Sequence, residues 1–245
     1  MKAEPARQLK LLDLQALDTR LSQLAHARAT LPEHDQLVDV VREATVLDAD
    51  LVRARTTLSD IEREVNRSEA DVQQVRDRAA RNQARLDAGT GTAKDLQALQ
   101  HELESLARRQ SDLEEVELEV MERAESAEAE VADLESQRAE VGSRMRVLEE
   151  ARDVRVAQID AEERQVGAPR PGLVEAVGAD LVGLYDKIRD TSGTGAAALS
   201  RRRCLGCQLE LNQVDLDRIR SAATDEVLRC EECRRILVRT DESGL

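Results

Sequence analysis

Apolar residues recur at alternating gaps of three and four along most of the chain, from Leu37 to Ile159. The pattern falls into two stretches, Leu37 to Leu86 and Leu96 to Leu148, and continues more loosely to Ile159. A seven-residue repeat sustained over this distance specifies a left-handed coiled coil. Because the two stretches are of similar length and flank one short loop, they predict two arms of a single antiparallel hairpin.

The loop between the arms, residues 87 to 94, carries Gly89 and Gly91, which favour a helix stop and a tight reversal. Thr92 and Asp95 have the spacing of an N-terminal capping box for the next helix. These residues predict the tip of the hairpin.

The heptad positions also predict how the two arms pair. Pairing an a position with a d position places Val65 opposite Val120, Leu58 opposite Ala127 and Ala44 opposite Val141. The same register places Ser68 opposite Glu117, a polar layer inside an apolar seam. It also places Leu47 opposite Arg138, whose aliphatic stem is expected to pack while its head reaches water.

Another helix precedes the hairpin, over Leu9 to Leu31, with leucines at helical spacing. Pro32 interrupts the pattern, and Thr30 with Glu33 has the spacing of a second capping box. We therefore expect a kink or short break near residues 30 to 33, within a hairpin region that spans residues 1–166.

Composition excludes several classes of protein. The 245 residues include one Tyr and no Phe or Trp, so a large globular core is not expected. The net charge of −14 argues against a nucleic-acid surface along the whole chain. Since no apolar run is long enough to span a bilayer and no signal peptide is evident, we expect a cytoplasmic protein without membrane association.

After the hairpin, residues 167–195 are predicted to form a short helix and a connector. Glycine and two prolines in residues 167–172 end the preceding helix. One helix is predicted over Leu173 to Arg189, with Tyr185 anchoring the packing between the base of the coil and the segment beyond. Thr191 to Gly195 is predicted to be a flexible connector.

All four cysteines lie in the last segment, residues 196–245, as two Cys-x-x-Cys pairs. They are Cys204 with Cys207, and Cys230 with Cys233. Four thiolates at this spacing can close a tetrahedral structural site for one zinc ion, with iron as the chief competing metal. Two redox dithiols or disulfides are disfavoured, because neither pair sits at the strand-to-helix junction of a thioredoxin-like unit.

Short strands over Ala196 to Leu199, Val227 to Arg229 and Ile236 to Arg239, with a helix over Gln213 to Ala222, complete a zinc ribbon. Six arginines near the cysteines are candidates for a phosphate-binding or partner-binding face: Arg201, Arg202, Arg203, Arg234, Arg235 and Arg239. The alternative is an ordinary solvated surface, since acidic residues balance these arginines and no aromatic side chain offers a stacking platform.

No catalytic constellation is evident in the sequence. His101-Glu102 begins like a metalloprotease signature, but Ser105 stands where the second histidine belongs. No nucleophile and base are brought together by spacing, so a non-enzymatic protein is predicted.

These residues resemble a family of bacterial proteins with a coiled-coil hairpin and a C4-type zinc ribbon, including FlgZ-like flagellar and type III secretion chaperones. The most specific part is Cys230-Glu-Glu-Cys233-Arg-Arg-Ile-Leu, which is similar to the family's Cys-x-x-Cys-Gly-Arg-Ile-Leu. Arg234 stands where that pattern has glycine, so the turn there is expected to differ in shape. Links of family members to sigma factors, secretion components and messenger RNA imply an adaptor role.

The sequence thus predicts a mainly α protein, a long antiparallel coiled-coil hairpin with a small C-terminal zinc ribbon of short β strands. The leading functional prediction is a zinc-binding adaptor or chaperone-like scaffold that engages protein partners through hairpin and ribbon, as a monomer or homodimer. The alternative is a factor that binds messenger RNA, the ribosome or RNA polymerase through the ribbon arginines.

Overall fold

A computed structural model describes all residues from Met1 to Leu245. The elements, in chain order, are α1 (Pro5–Ala29), α2 (Pro32–Asp87), α3 (Ala93–Gly167), α4 (Arg170–Val177), α5 (Ala179–Ser192), β1 (Ala196–Ser200), β2 (Arg203–Cys204), α6 (Gln213–Ser221), β3 (Leu228–Arg229) and β4 (Ile236–Arg239). The chain divides into two compact units. We call Asp35–Glu149 the coil unit, and Met1–His34 with Glu150–Leu245 the head unit. None of the helices combines the length and apolarity needed to cross a bilayer.

In the coil unit, α2 and α3 bury only positions that belong to the predicted heptad seam. The buried residues of α2 are Val40, Ala44, Leu47, Leu51, Ala54, Ile61, Ser68, Val72, Val75 and Asn82. Those of α3 are Leu99, Leu106, Val120, Ala127, Val131 and Val141. The mainly α coiled-coil prediction is confirmed.

The apolar clusters of the coil unit agree with the predicted register. One cluster brings together Val65, Val120, Leu58 and Ala127. A second contains Ala44 and Val141. Ion pairs between the two helices flank the seam along its length: Glu43–Arg144 (2.6 Å), Asp48–Arg138 (2.7 Å), Arg55–Glu135 (2.6 Å), Glu64–Arg123 (2.9 Å) and Arg76–Glu114 (2.6 Å).

Ser68 and Glu117, which the predicted register places opposite each other as a polar layer, do not form a hydrogen bond with each other. Ser68 is buried, but its hydroxyl donates to the Val65 carbonyl one helical turn back, at 3.0 Å. A serine hydroxyl in a helix reaches such a carbonyl more easily than a side chain on another helix. Arg138 behaves as predicted, since it is half-buried and its guanidinium reaches Asp48 at the edge of the seam.

The helix break and the tip are both present. At the tip, Asp95 N–H donates to Thr92 Oγ1 at 3.3 Å and Thr92 N–H donates to Asp95 Oδ2 at 2.9 Å, so the predicted capping box is confirmed. At the other end, α2 begins at Pro32, but Thr30 does not cap it. The Thr30 hydroxyl donates instead to the carbonyl of His26 at 2.8 Å, which also accepts from the Thr30 N–H at the end of α1.

The head unit packs α1 against α4, α5 and the sheet. Its largest fully buried side chains in one cluster are Leu11, Leu14, Leu181, Tyr185 and Ile236. The Tyr185 hydroxyl donates to the carboxylate of Asp18 at 3.0 Å. Tyr185 therefore anchors this core, as the sequence predicts, and α1 belongs to the same core as the ribbon strands.

The helix predicted over Leu173 to Arg189 is two helices. Gly178 separates them with a φ of 86°, a left-handed conformation that glycine adopts without steric cost. The predicted flexible connector is also wrong, since α5 continues to Ser192. Gly195 is fixed by two hydrogen bonds. Its N–H donates to Gln15 Oε1 at 2.7 Å, and its carbonyl accepts from the Ile236 N–H at 3.0 Å.

The sheet of the head unit has the strand order β2-β1-β4-β3. β1 pairs parallel with β4 and antiparallel with β2, and β3 pairs antiparallel with β4. Only the short β2 is not predicted from the sequence, because two residues carry no alternating pattern. β2 and β3 end next to the two cysteine pairs, so the sheet brings both pairs to one place.

Candidate metal centre

The two Cys-x-x-Cys segments fold into equivalent knuckles. In the first, Gln208 N–H donates to the Cys204 carbonyl at 2.7 Å, and in the second Arg234 N–H donates to the Cys230 carbonyl at 2.9 Å. The residue after each second cysteine has a positive φ, 63° at Gln208 and 60° at Arg234. Arg234 therefore adopts the left-handed backbone that glycine takes freely, at a cost of roughly 1–2 kcal/mol for a non-glycine residue.

The four thiols lie at distances suited to a tetrahedral metal site. All four Sγ atoms of Cys204, Cys207, Cys230 and Cys233 are within 4.8 Å of one another. Cys204 Sγ lies 3.8 Å from Cys233 Sγ, and Cys207 Sγ lies 3.9 Å from Cys230 Sγ. Zn–S bonds of about 2.3 Å in a tetrahedron require sulfur separations of about 3.8 Å. The donor set therefore fits one structural zinc ion.

The surroundings of Cys204, Cys230 and Cys233 shift the pKa values of these thiols in different directions. Burial raises the pKa of Cys204 to about 12, and burial also raises the pKa of Cys230. Burial acts on Cys233 in the same direction, but hydrogen bonds from the Arg235 backbone and from neighbouring thiols outweigh it and lower the pKa. Metal coordination deprotonates all such thiols, so zinc binding releases protons here.

A small apolar core surrounds the thiols. Ala197, Leu199, Ile219, Leu228 and Leu237 pack against Cys204 and Cys230. These side chains form a small cluster, so a metal bound by the four thiols would add substantially to the stability of this segment.

Arg235 and Arg239 are tied to backbone carbonyls. Arg235 donates from Nη1 to the Gly206 carbonyl at 3.0 Å and from Nε to that of Thr194 at 3.3 Å. Arg239 donates to the carbonyls of residues 222, 223, 224 and 226. Both guanidiniums therefore hold loops of the head unit together, and their donors are largely occupied.

The other four candidate arginines are exposed. Arg201 and Arg202 form a tight turn with φ values of 45° and 63°. Arg202 donates to Gln213 at 3.0 Å, and Arg234 pairs with Glu231 at 3.2 Å. Arg201 and Arg203 have no side-chain partner. Binding of phosphate by this set stays a prediction, with the Arg201–Arg203 turn as its centre.

Comparison with known proteins agrees with this geometry. Residues 14–193 match the CT398-like coiled coil hairpin domain, and residues 203–237 match the C4-type zinc ribbon domain. The chain belongs to the CT398-like coiled-coil hairpin family. The second match includes all four cysteines and ends within β4.

Mycobacterial relatives extend over nearly the whole chain. The Mycobacterium tuberculosis protein Rv2229c is 37% identical over 245 residues, covering 98% of each chain. The Mycobacterium leprae protein ML1638 is 29% identical, covering 88% of this chain and 93% of its own. A solved structure from Mycobacterium smegmatis has a TM-score of 0.85 and 36% identity, covering 98% of this chain and 100% of that one.

More distant structures share the fold. CT398 from Chlamydia trachomatis superposes with a TM-score of 0.67 at 18% identity, covering 96% of this chain and 98% of CT398. The HP0958 protein of Helicobacter pylori gives a TM-score of 0.50 at 16% identity, covering 97% and 98%. At these identities the likeness concerns the fold alone.

Sequence reasoning missed the polar residues of α1 that hold the head unit of this CT398-like protein together. Gln15 Oε1 accepts from the N–H groups of Gly195 and Ala196 at the start of β1. Gln8 Nε2 donates to the Ala3 carbonyl at 2.8 Å. Asp18 is 1% exposed and accepts from Arg170, with Arg189 3.4 Å away. Only the positions of these residues on the leucine face of α1 distinguish them from solvated ones.

Proposed function

We propose that this protein is a non-enzymatic, zinc-binding coiled-coil adaptor that engages protein partners, acting in the reducing cytoplasm, where paired cysteines stay available as metal ligands. The observation that carries the proposal is an apolar groove along one flank of the coil unit. A helical hairpin needs only its seam to fold, so apolar surface outside the seam points to a further contact.

The flank groove runs along the edge of the seam between α2 and α3. It consists of two adjoining cavities that share Asp39 and Glu43. One is also lined by Gln36, Val40, Ser143, Arg144, Val147 and Leu148, and the other by Arg42, Val46, Leu47 and Gln137. Val46 is 57% exposed and Val147 is 62% exposed. From residue 36 to residue 47, α2 advances roughly 17 Å, about three helical turns.

This shape suits an amphipathic helix of a protein partner. Val46 and Val147 offer apolar contacts above a floor of seam residues, which is the arrangement of helix-in-groove recognition. The charged residues at the rim already pair with one another, Glu43 with Arg144 at 2.6 Å and Asp39 with Arg42 at 3.0 Å. The groove therefore selects mainly an apolar helix face.

A tagged pull-down with paired substitutions tests the proposal. Val46→Asp and Val147→Asp place carboxylates in the groove and are expected to abolish partner capture by the full-length protein. Val38→Asp and Leu118→Asp are matched controls, because those side chains are 57% and 58% exposed but lie outside the groove. If the groove variant captures the same proteins as the controls, the adaptor surface lies elsewhere.

Sedimentation of the same variants reports on self-association. If the unmodified protein is a dimer and the groove variant a monomer, the occupant is a second copy of this chain. If the groove variant sediments like the unmodified protein, the groove is free for a different partner.

The second candidate function is nucleic-acid binding through the ribbon. It is favoured by the unpartnered, exposed Arg201 and Arg203 of the β1–β2 turn. Phosphate contacts by these arginines predict affinity that falls steeply with salt. Loss of RNA binding in the Arg201→Gln, Arg203→Gln variant would support this function, and absence of any RNA binding at low salt would end it.

A further inference from the structure

A basic groove lies near the tip of the coil unit, away from the apolar flank groove in sequence. Its lining includes Arg78, Arg81, Asn82 and Arg85 of α2, with Glu102 and Arg109 of α3. We call it the tip groove. Four arginines face two carboxylates there, Glu102 and Asp71, in a protein whose net charge is −14.

Three of the four guanidiniums have no partner within the protein. Arg78 is taken, because its Nε donates to Glu102 Oε1 at 2.8 Å. Arg81, Arg85 and Arg109 are exposed and form neither an ion pair nor a hydrogen bond. The arm-to-arm ion pairs of the coil unit each match one arginine to one carboxylate, as Arg55 is matched to Glu135 and Arg76 to Glu114.

Asn82 gives a second, independent indication of a ligand. It is 8% exposed and lines the tip groove, yet its amide Nδ2 has no acceptor in hydrogen-bonding geometry. Glu102 is near, since the hydrogen bond from Arg78 lowers the pKa of that carboxyl and the Asn82 amide lowers it further. The Asn82 amide carries two N–H donors, so even a long contact with Glu102 leaves at least one of them without an acceptor. A buried donor without an acceptor is costly, so it is normally retained for a reason.

We propose that the tip groove binds a phosphate-bearing anion, with Arg81, Arg85 and Arg109 as its charged ligands and Asn82 as a neutral donor. A carboxylate has two oxygens and one charge, which a single guanidinium satisfies, as at every other arm-to-arm pair of the coil unit. Phosphate groups carry more charge and present more acceptor oxygens, and arginine forks match them in pairs. The tip groove provides these additional donors through its three unpaired arginines and the Asn82 amide.

This site is separate from the adaptor function. The tip groove shares no residue with the flank groove or with the ribbon arginines. The phosphate groups could belong to a free polyphosphate or to a single RNA strand. Measuring the binding of a polyphosphate and of an RNA strand separately distinguishes these two sources.

Isothermal titration of the full-length, zinc-loaded protein with sodium tripolyphosphate at low salt tests the proposal. We expect saturable binding with one site per chain. The Arg81→Gln, Arg85→Gln variant is expected to bind at least roughly a hundredfold more weakly, because it removes two charge-assisted bonds, each worth about one power of ten or more. Arg53→Gln, Arg63→Gln is the matched control, since those arginines are equally exposed but pair only within α2.

Two further variants distinguish the tip groove from the ribbon and from the seam. Arg201→Gln, Arg203→Gln is expected to leave tripolyphosphate binding unchanged, because the ribbon is not involved. Asn82→Leu is expected to raise the Tm, because it removes the unpaired amide from the seam, and to weaken tripolyphosphate binding. A higher Tm with unchanged binding would assign Asn82 to the seam alone and remove it from the site.

Titration with a short oligouridylate and with an oligoglutamate completes the test. If oligouridylate binds more tightly than tripolyphosphate and the Arg81, Arg85 variant loses both, the phosphate source is RNA. If tripolyphosphate binds at least as tightly, the source is a free polyphosphate. Equal binding of oligoglutamate, no tripolyphosphate binding, or equal losses in the Arg53, Arg63 control would overturn the proposal.

Discussion

The two units of the protein are stabilised in different ways. The head unit contains side chains with no exposure at all, such as Leu11, Tyr185 and Ile236, and buries charged and amide groups among them. In the coil unit, most of the buried seam residues keep 6–9% exposure, and the paired charges lie at the edges of the seam, between the arms. The head unit therefore depends on a few specific long-range contacts, whereas the coil unit depends on many similar contacts repeated along the seam.

Removal of zinc is expected to give the largest effect and to separate the two units most clearly. Structural zinc contributes an apparent 10–16 kcal/mol at neutral pH in small metal domains. Chelation, or Cys204→Ser, should abolish the hydrogen-exchange protection of β1 to β4 while α2 and α3 of the coil unit keep theirs. Retained protection of β4 after complete zinc loss would show that α1 and the apolar core hold the ribbon without metal.

Loss of the Asp18 carboxylate is expected to be the next largest effect. Asp18→Ala leaves the guanidinium of Arg170 and the hydroxyl of Tyr185 without their acceptor. Breaking a buried ion pair on one side costs about 3–5 kcal/mol, measured by urea unfolding. Asp13→Ala is the control, because Asp13 pairs with Lys10 on the exposed face of α1 and should cost less than about 1 kcal/mol. Equal effects of the two substitutions would contradict the proposed role of the buried network.

Tyr185 makes the stability of the head unit sensitive to alkaline pH. Burial first, and then the charge of Asp18, raise the pKa of this hydroxyl above its ordinary value. In the unfolded chain tyrosine ionises near pH 10. Since the folded protein keeps the proton at higher pH, its stability is full below pH 10 and falls above it, by up to about 1.4 kcal/mol per pH unit.

Tyr185→Phe provides the comparison for this pH effect. The variant loses the hydrogen bond to Asp18 and about 1 kcal/mol at neutral pH, but its stability should fall less steeply above pH 10. Parallel stability curves for the two proteins, measured by urea unfolding from pH 8 to pH 11, would show that Tyr185 does not ionise on unfolding in this range.

The smallest effect is expected from the charges of the coil unit. Arg55→Ala removes the partner of Glu135 from an exposed pair with an N–O distance of 2.6 Å. Exposed pairs contribute about 0.2–1 kcal/mol and are screened by salt. The loss in free energy of unfolding should therefore shrink in 1 M NaCl. A loss near that of Asp18→Ala would mean that the coil unit also relies on specific polar contacts.

Much of the metal site could be predicted because its information is local. Two Cys-x-x-Cys pairs name the four ligands, and the strands over 196–199, 228–229 and 236–239 follow from short apolar runs. In the structure, the Sγ atoms of the four cysteines lie within 4.8 Å of one another. The arginines beside them were not predictable in the same way, because a guanidinium that binds backbone carbonyls, as Arg235 does, has the same sequence signal as one that faces solvent.

The sequence by itself determined the hairpin, its seam, its register and its capped tip, since heptad spacing and capping pairs act between residues close in the chain or repeat many times along it. Only the tertiary structure decided that α1 shares a core with the ribbon, that Asp18 is buried, and that Arg81, Arg85 and Arg109 stand together beside an unpaired Asn82 amide. These features depend on contacts between distant residues and on which charges find partners, and neither is encoded in a periodic pattern.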